Sequence, residues 1–204
     1  MRILITAGPT REPIDAVRYL SNRSSGRMGA SLASAALARA HEVTLILGPV
    51  AIPMPRTHRI EVETAAEMQR AVMGEFPDHD ALIMAAAVAD YRPKRTHSGK
   101  IDRQGPMTLE LEPTDDIIAS ASRSKRPDQR TVAFSLETAG DVDRARQKML
   151  RKGVDLMVYN PTATMNSETV EAVLLYPDGR AEQLASRDKA EFADILLQRV
   201  VALF

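Results

Sequence analysis

The chain has 204 residues, of which 44% are hydrophobic, with 27 basic and 27 acidic side chains. This length suffices for one globular domain, which we predict over residues 1–204, and the balanced charge excludes a general attraction to nucleic acid or to an anionic membrane. The absence of cysteine excludes disulfides, thiolate metal sites and cysteine nucleophiles. No stretch has the length of a membrane span or a signal-peptide core, so we expect a cytoplasmic protein.

Strands and helices alternate along the first half of the chain. Two apolar runs, 3–7 and 43–47, each end at a Gly-Pro pair, which is typical of the point where a buried strand stops. An Ala- and Leu-rich helix is predicted between them, after a Ser-Ser-Gly turn. The elements predicted after the first strand are a helix at 28–40, strands at 43–47 and 59–62, a helix at 65–76 and a strongly apolar strand at 81–88.

The second half is less regular but continues the pattern. Residues 91–105 are polar and without an apolar period, which predicts a mobile loop. The elements predicted after it are a strand at 107–111, a short helix at 115–122, a strand at 131–135, a helix at 142–152, strands at 154–159 and 170–175, and a helix at 189–203. Together they predict an α/β fold: a single doubly wound, mostly parallel sheet with helices on both faces, Rossmann-like.

Ligands of such folds bind outside the carboxyl ends of the strands. The loops that begin at Gly8, Gly48, Ala87, Ser135 and Asn160 are therefore the ones expected to build a site.

The loop after the first strand has features of an anion site. Gly8 and Gly26 would let the backbone approach an anion closely, and the helix that starts after Gly26 would present free N–H groups. Arg18, Asn22 and Arg23 lie beside this turn. The spacing is neither a dinucleotide fingerprint nor a P-loop, and glycines that serve only as turns are the alternative.

Small residues mark the end of the strand at 81–88. Ala85, Ala86 and Ala87 would leave room for a ligand against the main chain, and the carboxylate of Asp90 could hold a ribose hydroxyl or a magnesium ion. Close helix–sheet packing with a solvated Asp90 is the alternative interpretation.

Basic residues form a third candidate group. Lys100 lies in the polar loop, and Lys148 and Lys152 lie at i and i+4 of one predicted helix, where they share a face and could clamp a triphosphate. A solvated surface is the alternative. The four histidines are scattered without ligand spacing, and Gly-x-Ser-x-Gly is absent.

Read together, several segments resemble the phosphopantothenoylcysteine synthetase family, whose members are often fused behind a flavin-dependent decarboxylase in bacterial coenzyme A synthesis. The segments are ITAGPTREPID at 5–15, VRYLSNRSSGRMG at 17–29, MAAAVADYRP at 84–93 and RKGVDL at 151–156. The resemblance extends from Arg2 to the last helix. We expect a separate synthetase or an excised domain, with a phosphopantothenoylcysteine decarboxylase as a candidate partner.

The resemblance implies a two-step ligation. The carboxylate of 4'-phosphopantothenate attacks the α-phosphate of CTP, and the amine of L-cysteine then displaces the nucleoside monophosphate. Magnesium would arrive with the triphosphate, with Asp90 as its candidate protein ligand. The resemblance also implies a homodimer, with residues of about 91–105 as a flap over the site.

The resemblance implies roles for individual residues as well. Asn22, Arg18 and Lys100 are the implied catalytic residues, and Gly8, Asn22 and Ala86 would bind phosphopantothenate. The implied nucleotide contacts are Ala86, Asp90, Lys100, Asp115, Asp116, Ile117, Ile118, Phe134, Lys148 and Lys152.

The sequence departs from the family pattern on the nucleotide side. Asp102 and Arg103 replace lysines after Lys100, 114–117 reads Thr-Asp-Asp-Ile instead of Asn-Pro-Asp-Ile, and 133–138 reads Ala-Phe-Ser-Leu-Glu-Thr instead of Gly-Phe-Ala-Ala-Glu-Thr. An inactive nucleotide-binding module of the same fold is therefore one alternative. A short-chain NAD(P)-dependent oxidoreductase is another, although its glycine fingerprint and Tyr-x-x-x-Lys pair are absent.

Overall fold

The computed structural model describes residues 1–137, 141–161 and 169–204. Thr138, which ends one of the segments compared with the family, lies outside these ranges. The strands are β1 (Arg2–Ala7), β2 (Arg11–Pro13), β3 (Tyr19–Ser21), β4 (Glu42–Leu47), β5 (His58–Glu61), β6 (Ala81–Met84), β7 (Tyr91–Pro93), β8 (Leu111–Pro113), β9 (Arg130–Glu137), β10 (Leu156–Pro161), β11 (Thr169–Leu175) and β12 (Ala181–Asp188). The α-helices are α1 (Arg27–Ala38), α2 (Ala65–Glu75), α3 (Ile117–Ser124), α4 (Val142–Lys152) and α5 (Lys189–Val201).

Eight strands form one central sheet in the order β12-β11-β10-β9-β6-β1-β4-β5. The six strands from β10 to β5 run parallel, and β11 and β12 add an antiparallel edge. The predicted doubly wound, mostly parallel α/β fold is therefore confirmed. Within the described ranges, no helix combines the length and the apolar composition that crossing a membrane requires.

The sheet is buried on both faces because its central strands are apolar on both sides. In β1, Ile3 and Ile5 pack toward α1 and α5, whereas Leu4 packs toward α2, α3 and α4. Strand β6 is buried at every position. This burial explains why these strands appear in the sequence as continuous apolar runs rather than as alternating ones.

The strand predicted at 81–88 is shorter than expected. Strand β6 ends at Met84, and the alanine-rich residues after it form a loop. The backbone of Ala87 leaves the sheet and bonds instead to the loop after β1, where its N–H donates to the Gly8 carbonyl at 2.9 Å. An apolar composition cannot by itself distinguish a strand from a loop that is covered by its neighbours.

The region after Asp90 also differs from the prediction. It begins with β7, which pairs antiparallel with β8. Leu111 is the first residue of β8, so the strand predicted at 107–111 is wrong in its position. This two-stranded ribbon has few apolar side chains and is held in part by the ion pair between Lys94 and Glu110 at 2.8 Å, which no local pattern could indicate.

Two further elements are absent from the prediction. The short ribbon of β2 and β3 lies within the first glycine-containing loop. Strand β12 is mostly exposed, with Leu184 as its buried apolar residue, so it lacks the apolar signal of the central strands. The Asp178-Gly179 turn before β12, where Gly179 has φ +93°, is a hairpin signal that could have revealed it.

Candidate functional site

A cleft of about 780 Å³ opens at the carboxyl ends of β6 and β9, and we refer to it as the central cleft. Four chain segments line it: 22–28 before and within α1, 84–90 after β6, 114–118 at the start of α3, and 133–136 on β9. Lys148, Lys152, Met157, Asn160, Val170 and Lys189 complete the lining. The cleft thus lies where the sheet topology predicts a ligand site.

Main-chain hydrogen bonds hold the alanine-rich loop against the loop after β1. Ala87 donates to the Gly8 carbonyl at 2.9 Å and accepts from the N–H of Thr10 at 3.3 Å. The N–H of Ala86 donates to the Thr6 hydroxyl at 3.2 Å. The two segments singled out in the sequence therefore form one wall, in which Ala86 lines the central cleft.

Gly8 supports this wall but is not a lining residue of the central cleft. Its φ is +80°, and a Cβ at this position would lie 2.9 Å from both the Gly48 carbonyl oxygen and Val50 Cγ1. A side chain would therefore be strained and crowded at once. The structure gives Gly8 a structural part beneath the site, and its predicted contact with substrate stays a prediction.

Asn22 is placed at the cleft by the alanine-rich loop. Its side-chain amide donates to the Val88 carbonyl at 2.9 Å, and both residues line the central cleft. Helix α1 starts five residues later, directly after Gly26, which has φ +77° and provides no side-chain cap. Backbone N–H groups at such a helix start attract anions.

Helix α3 forms the opposite wall. The helix begins two residues later than predicted, because the Asp116 carboxylate caps it by accepting from the N–H of Ala119 at 3.1 Å. The other carboxylate oxygen of Asp116 accepts from Lys152 at 2.8 Å. Asp115, Ile117 and Ile118 line the cleft beside this cap, as do Asp90 and Phe134.

Thr114, one of the departures from the family pattern, connects this wall to the alanine-rich loop. Its N–H donates to the Asp90 carbonyl at 3.0 Å, and its hydroxyl donates to the Ala89 carbonyl at 2.6 Å. Thr114 therefore links the two walls by two hydrogen bonds.

The predicted arrangement of the two lysines of α4 is confirmed. The helix has the predicted bounds, and Lys148 and Lys152 both line the central cleft. Lys148 forms an ion pair with Glu137, a buried residue at the end of β9. Burial alone would raise the pKa of Glu137, but the hydrogen bonds from Lys148 and Ser135 outweigh it, so that its net pKa lies below the usual range.

Cationic side chains outnumber acidic ones at the central cleft. The cations are Arg23, Arg27, Lys148, Lys152 and Lys189, and the acids are Asp90, Asp115 and Asp116. Carboxylate oxygens are suitable magnesium ligands when a phosphate supplies the others. Within 1–137, 141–161 and 169–204, no group of three His, Cys, Asp or Glu residues could hold a metal ion unaided.

Two predicted catalytic residues lie elsewhere. Arg18 forms an ion pair with Asp15 and donates to the Ile101 carbonyl at 2.7 Å. Lys100 is exposed beside Ile101, and neither Arg18 nor Lys100 lines the central cleft of its own chain. Their grouping with Asn22 is therefore not seen, because the buried carboxylate of Asp15 holds the guanidinium away.

Sequence reasoning missed Glu137 and Lys189. Glu137 lies one residue before the undescribed range 138–140, and its partner Lys148 is eleven positions away, so no local pattern marks the pair. Lys189 starts α5 directly after the unpredicted strand β12. The Asp178-Gly179 turn indicates β12, and a prediction of β12 would have placed the start of α5, and with it Lys189, next to the sheet.

Comparison with known proteins supports a family assignment. A model described as "DNA/pantothenate metabolism flavoprotein C-terminal domain" matches residues 1–203. The chain is 38% identical over 213 residues to the coenzyme A biosynthesis bifunctional protein CoaBC of Escherichia coli K12, and covers 52% of it. It is also 41% identical to a protein named cysteine/cysteine sulfinic acid decarboxylase from an unknown prokaryotic organism, covering 58% of it. The chain thus spans about half the length of the curated relatives it matches.

Solved structures agree with this assignment. The C-terminal domain of a CoaBC protein is similar with a TM-score of 0.85 and 36% identity, covering 98% of this chain and 93% of that one. A Cab2 mutant in complex with phosphopantothenate-cysteine shares the fold, with a TM-score of 0.82 at 18% identity and coverage of 98% and 85%. From the match over residues 1–203, the chain belongs to the DNA/pantothenate metabolism flavoprotein C-terminal domain family.

Proposed function

We propose that this chain is a phosphopantothenate–cysteine ligase of coenzyme A biosynthesis, using CTP and acting in the cytoplasm. The observation that carries the proposal is the central cleft, in which five cationic side chains and the uncapped start of α1 lie close to Asn22 and the alanine-rich loop. Such a cleft suits a substrate pair that carries a triphosphate, a phosphate and a carboxylate. Relatives named for coenzyme A biosynthesis support the same reaction.

The proposed reaction activates a carboxylate and then aminolyses it. A carboxylate oxygen of 4'-phosphopantothenate attacks the α-phosphorus of CTP, the bond to the β-phosphate breaks, and pyrophosphate leaves. The cysteine nitrogen then attacks the acyl carbon of the resulting acyl-cytidylate, the C–O bond breaks, and CMP leaves while the amine loses a proton. Positioning and charge neutralisation are the main requirements of both steps.

The residues divide between two walls in this proposal. Lys148 and Lys152 neutralise phosphate oxygens of CTP, with the N–H groups at the start of α1 as further donors. The side chain of Phe134 and the segment 115–118 bound the nucleotide. Asn22, fixed by its bond to Val88, orients the pantothenate carboxylate near Ala86.

Magnesium fits this cleft as a companion of the triphosphate. Asp90, Asp115 and Asp116 supply carboxylate oxygens at its wall, and phosphate oxygens would complete the coordination. When bound, the ion would neutralise negative charge on the phosphates. The lysines of α4 would contribute further positive charge beside the pyrophosphate as it departs.

We further propose that the chain acts as a homodimer and that Arg18 and Lys100 take part in the reaction. Both lie outside the central cleft of their own chain, so a direct role requires either a second copy or movement of the residues around 91–105. A phosphopantothenoylcysteine decarboxylase is the proposed consumer of the product.

A nucleotide panel in a pyrophosphate-release assay tests the proposal. With 4'-phosphopantothenate, L-cysteine and magnesium, we expect clear release with CTP and weaker release with ATP. If no nucleotide of the panel supports pyrophosphate release, the ligase proposal is rejected. CTP binding without release would identify an inactive nucleotide-binding module, and reduction of a nicotinamide cofactor would favour the oxidoreductase alternative.

A further inference from the structure

Both lysines of α4 have acidic partners, but the two partners differ in position. Asp116, the partner of Lys152, lines the central cleft and has a side chain that is 44% exposed. Glu137, the partner of Lys148, has a side chain that is only 6% exposed and is not a lining residue. A ligand in the cleft would therefore meet Asp116 directly, but would meet Glu137 only through Lys148.

Glu137 is held by donors from its own strand β9 and from helix α4. The Ser135 hydroxyl donates to its Oε1 at 2.8 Å, and Lys148 donates to the same oxygen. Arg144, one turn before Lys148 on α4, approaches its other oxygen at 3.5 Å. A buried carboxylate with such donors stays ionised and fixed in place.

Resting on the proposed function, we infer that Glu137 is a positioning residue that holds the Lys148 ammonium at the wall of the central cleft, ready for the phosphates of the nucleotide. A free lysine side chain samples many rotamers, and fixing it on binding has an entropic cost. An ion pair made before the nucleotide arrives removes that cost. The remaining N–H donors of the ammonium stay available, since Lys148 is partly exposed.

A CTP titration of the full chain with magnesium tests this inference, read both by calorimetry and by pyrophosphate release. Glu137→Gln keeps the shape but removes the charge. We expect it to raise the Kd and the half-saturating concentration of CTP about tenfold, the change that accompanies loss of one charge-assisted hydrogen bond, with the maximal rate within about threefold. In a Lys148→Ala background, Glu137→Gln should add less than a factor of about two.

Glu182→Gln is the matched control. Glu182, on β12, forms a two-bond ion pair with Arg199 at 2.7 and 2.8 Å, and neither residue lines the central cleft. Its replacement also removes a carboxylate from an ion pair, and we expect the CTP titration to be unchanged. A raised CTP requirement in this control as well would mean that general stability, rather than Lys148, is responsible.

Three outcomes would overturn the inference: an unchanged CTP requirement in Glu137→Gln, a lowered one, or a tenfold effect that persists without Lys148. A lowered requirement would mean that Glu137 competes with phosphate for the ammonium. If Glu137→Gln does not fold, Glu137→Asp, which keeps the charge but withdraws it by one methylene, should raise the requirement severalfold, and no change would count equally against the inference. A wild-type chain that binds CTP without releasing pyrophosphate would reject the proposed ligase, while the binding series would still decide on Glu137.

Discussion

Asp15 and Arg18 together bond both backbone polar groups of one residue, Ile101, which lies more than eighty residues away in the chain. Asp15 accepts from the N–H of Ile101 at 3.0 Å, and Arg18 donates to the carbonyl of the same residue at 2.7 Å. The two side chains are also ion-paired with each other, and Arg18 Nε lies 2.9 Å from Asp15 Oδ2. The position of Lys100, the neighbour of Ile101, therefore depends on this clasp.

The clasp should make the 91–105 segment sensitive to acid. Hydrogen bonds from Arg18 and from the N–H of Ile101 hold the pKa of Asp15 well below its usual range. The stabilisation is therefore fully present above the unfolded value of about 4 and is lost as pH falls toward the folded value. Asp15→Asn removes the same negative charge at neutral pH. The rate of trypsin cleavage after Lys100 or Arg103 in this variant, compared with wild type, is the measurement. We expect faster cleavage in the variant.

Asp178→Asn is the control for the clasp. Asp178 also has a pKa lowered by hydrogen bonds from Arg180, but it lies in the turn between β11 and β12. Its replacement should leave cleavage after Lys100 unchanged. Equal protection of this bond in wild type and Asp15→Asn would contradict the proposed clasp.

Asn22→Asp should separate binding from chemistry. The new carboxylate would face the Val88 carbonyl, to which the amide now donates at 2.9 Å, and would repel the substrate carboxylate. We expect product formation to fall by roughly a hundredfold, since one misplaced positioning group can have an effect of that size. CTP affinity measured by calorimetry should stay within about twofold. Unchanged turnover would contradict the proposed role of Asn22 in orienting the substrate.

Alanine replacements of Lys148 and Lys152 should raise the CTP requirement. Each lysine lines the central cleft, and loss of one charge-assisted contact corresponds to roughly tenfold in affinity. The half-saturating CTP concentration in the pyrophosphate assay is the measurement. Lys125→Ala provides the control, because Lys125 is paired with Asp155 and does not line the cleft. An unaltered half-saturating CTP concentration in both variants would mean that Lys148 and Lys152 do not contact the nucleotide.

Gly8→Ala tests the wall beneath the cleft. A Cβ at Gly8 would be 2.9 Å from the Gly48 carbonyl oxygen at a φ of +80°, so we expect the free energy of unfolding to fall by about 2 kcal/mol or more. Gly74 lies in α2 with no atom within 4 Å of a built Cβ. Gly74→Ala should therefore raise the free energy of unfolding by about 0.5–1 kcal/mol. Urea unfolding measures both, and equal effects would contradict the argument.

The sequence determined the sheet and much of the cleft. Apolar runs at β1, β4 and β6 indicated buried parallel strands because both faces of those strands are covered. The i, i+4 spacing of Lys148 and Lys152 placed them on one face because the helical period is local. Because ligands of such folds bind outside the carboxyl ends of the strands, the predicted strand ends also indicated where the site lies.

Tertiary structure decided the rest. The sequence contains Arg18, Asp15 and Ile101, but only packing brings the guanidinium to the far loop instead of to Asn22. Strand β12 forms by pairing with β11 rather than from its own apolar content. Ion pairs and edge strands join residues that are distant in the chain, and their energies depend on geometry that no local period encodes.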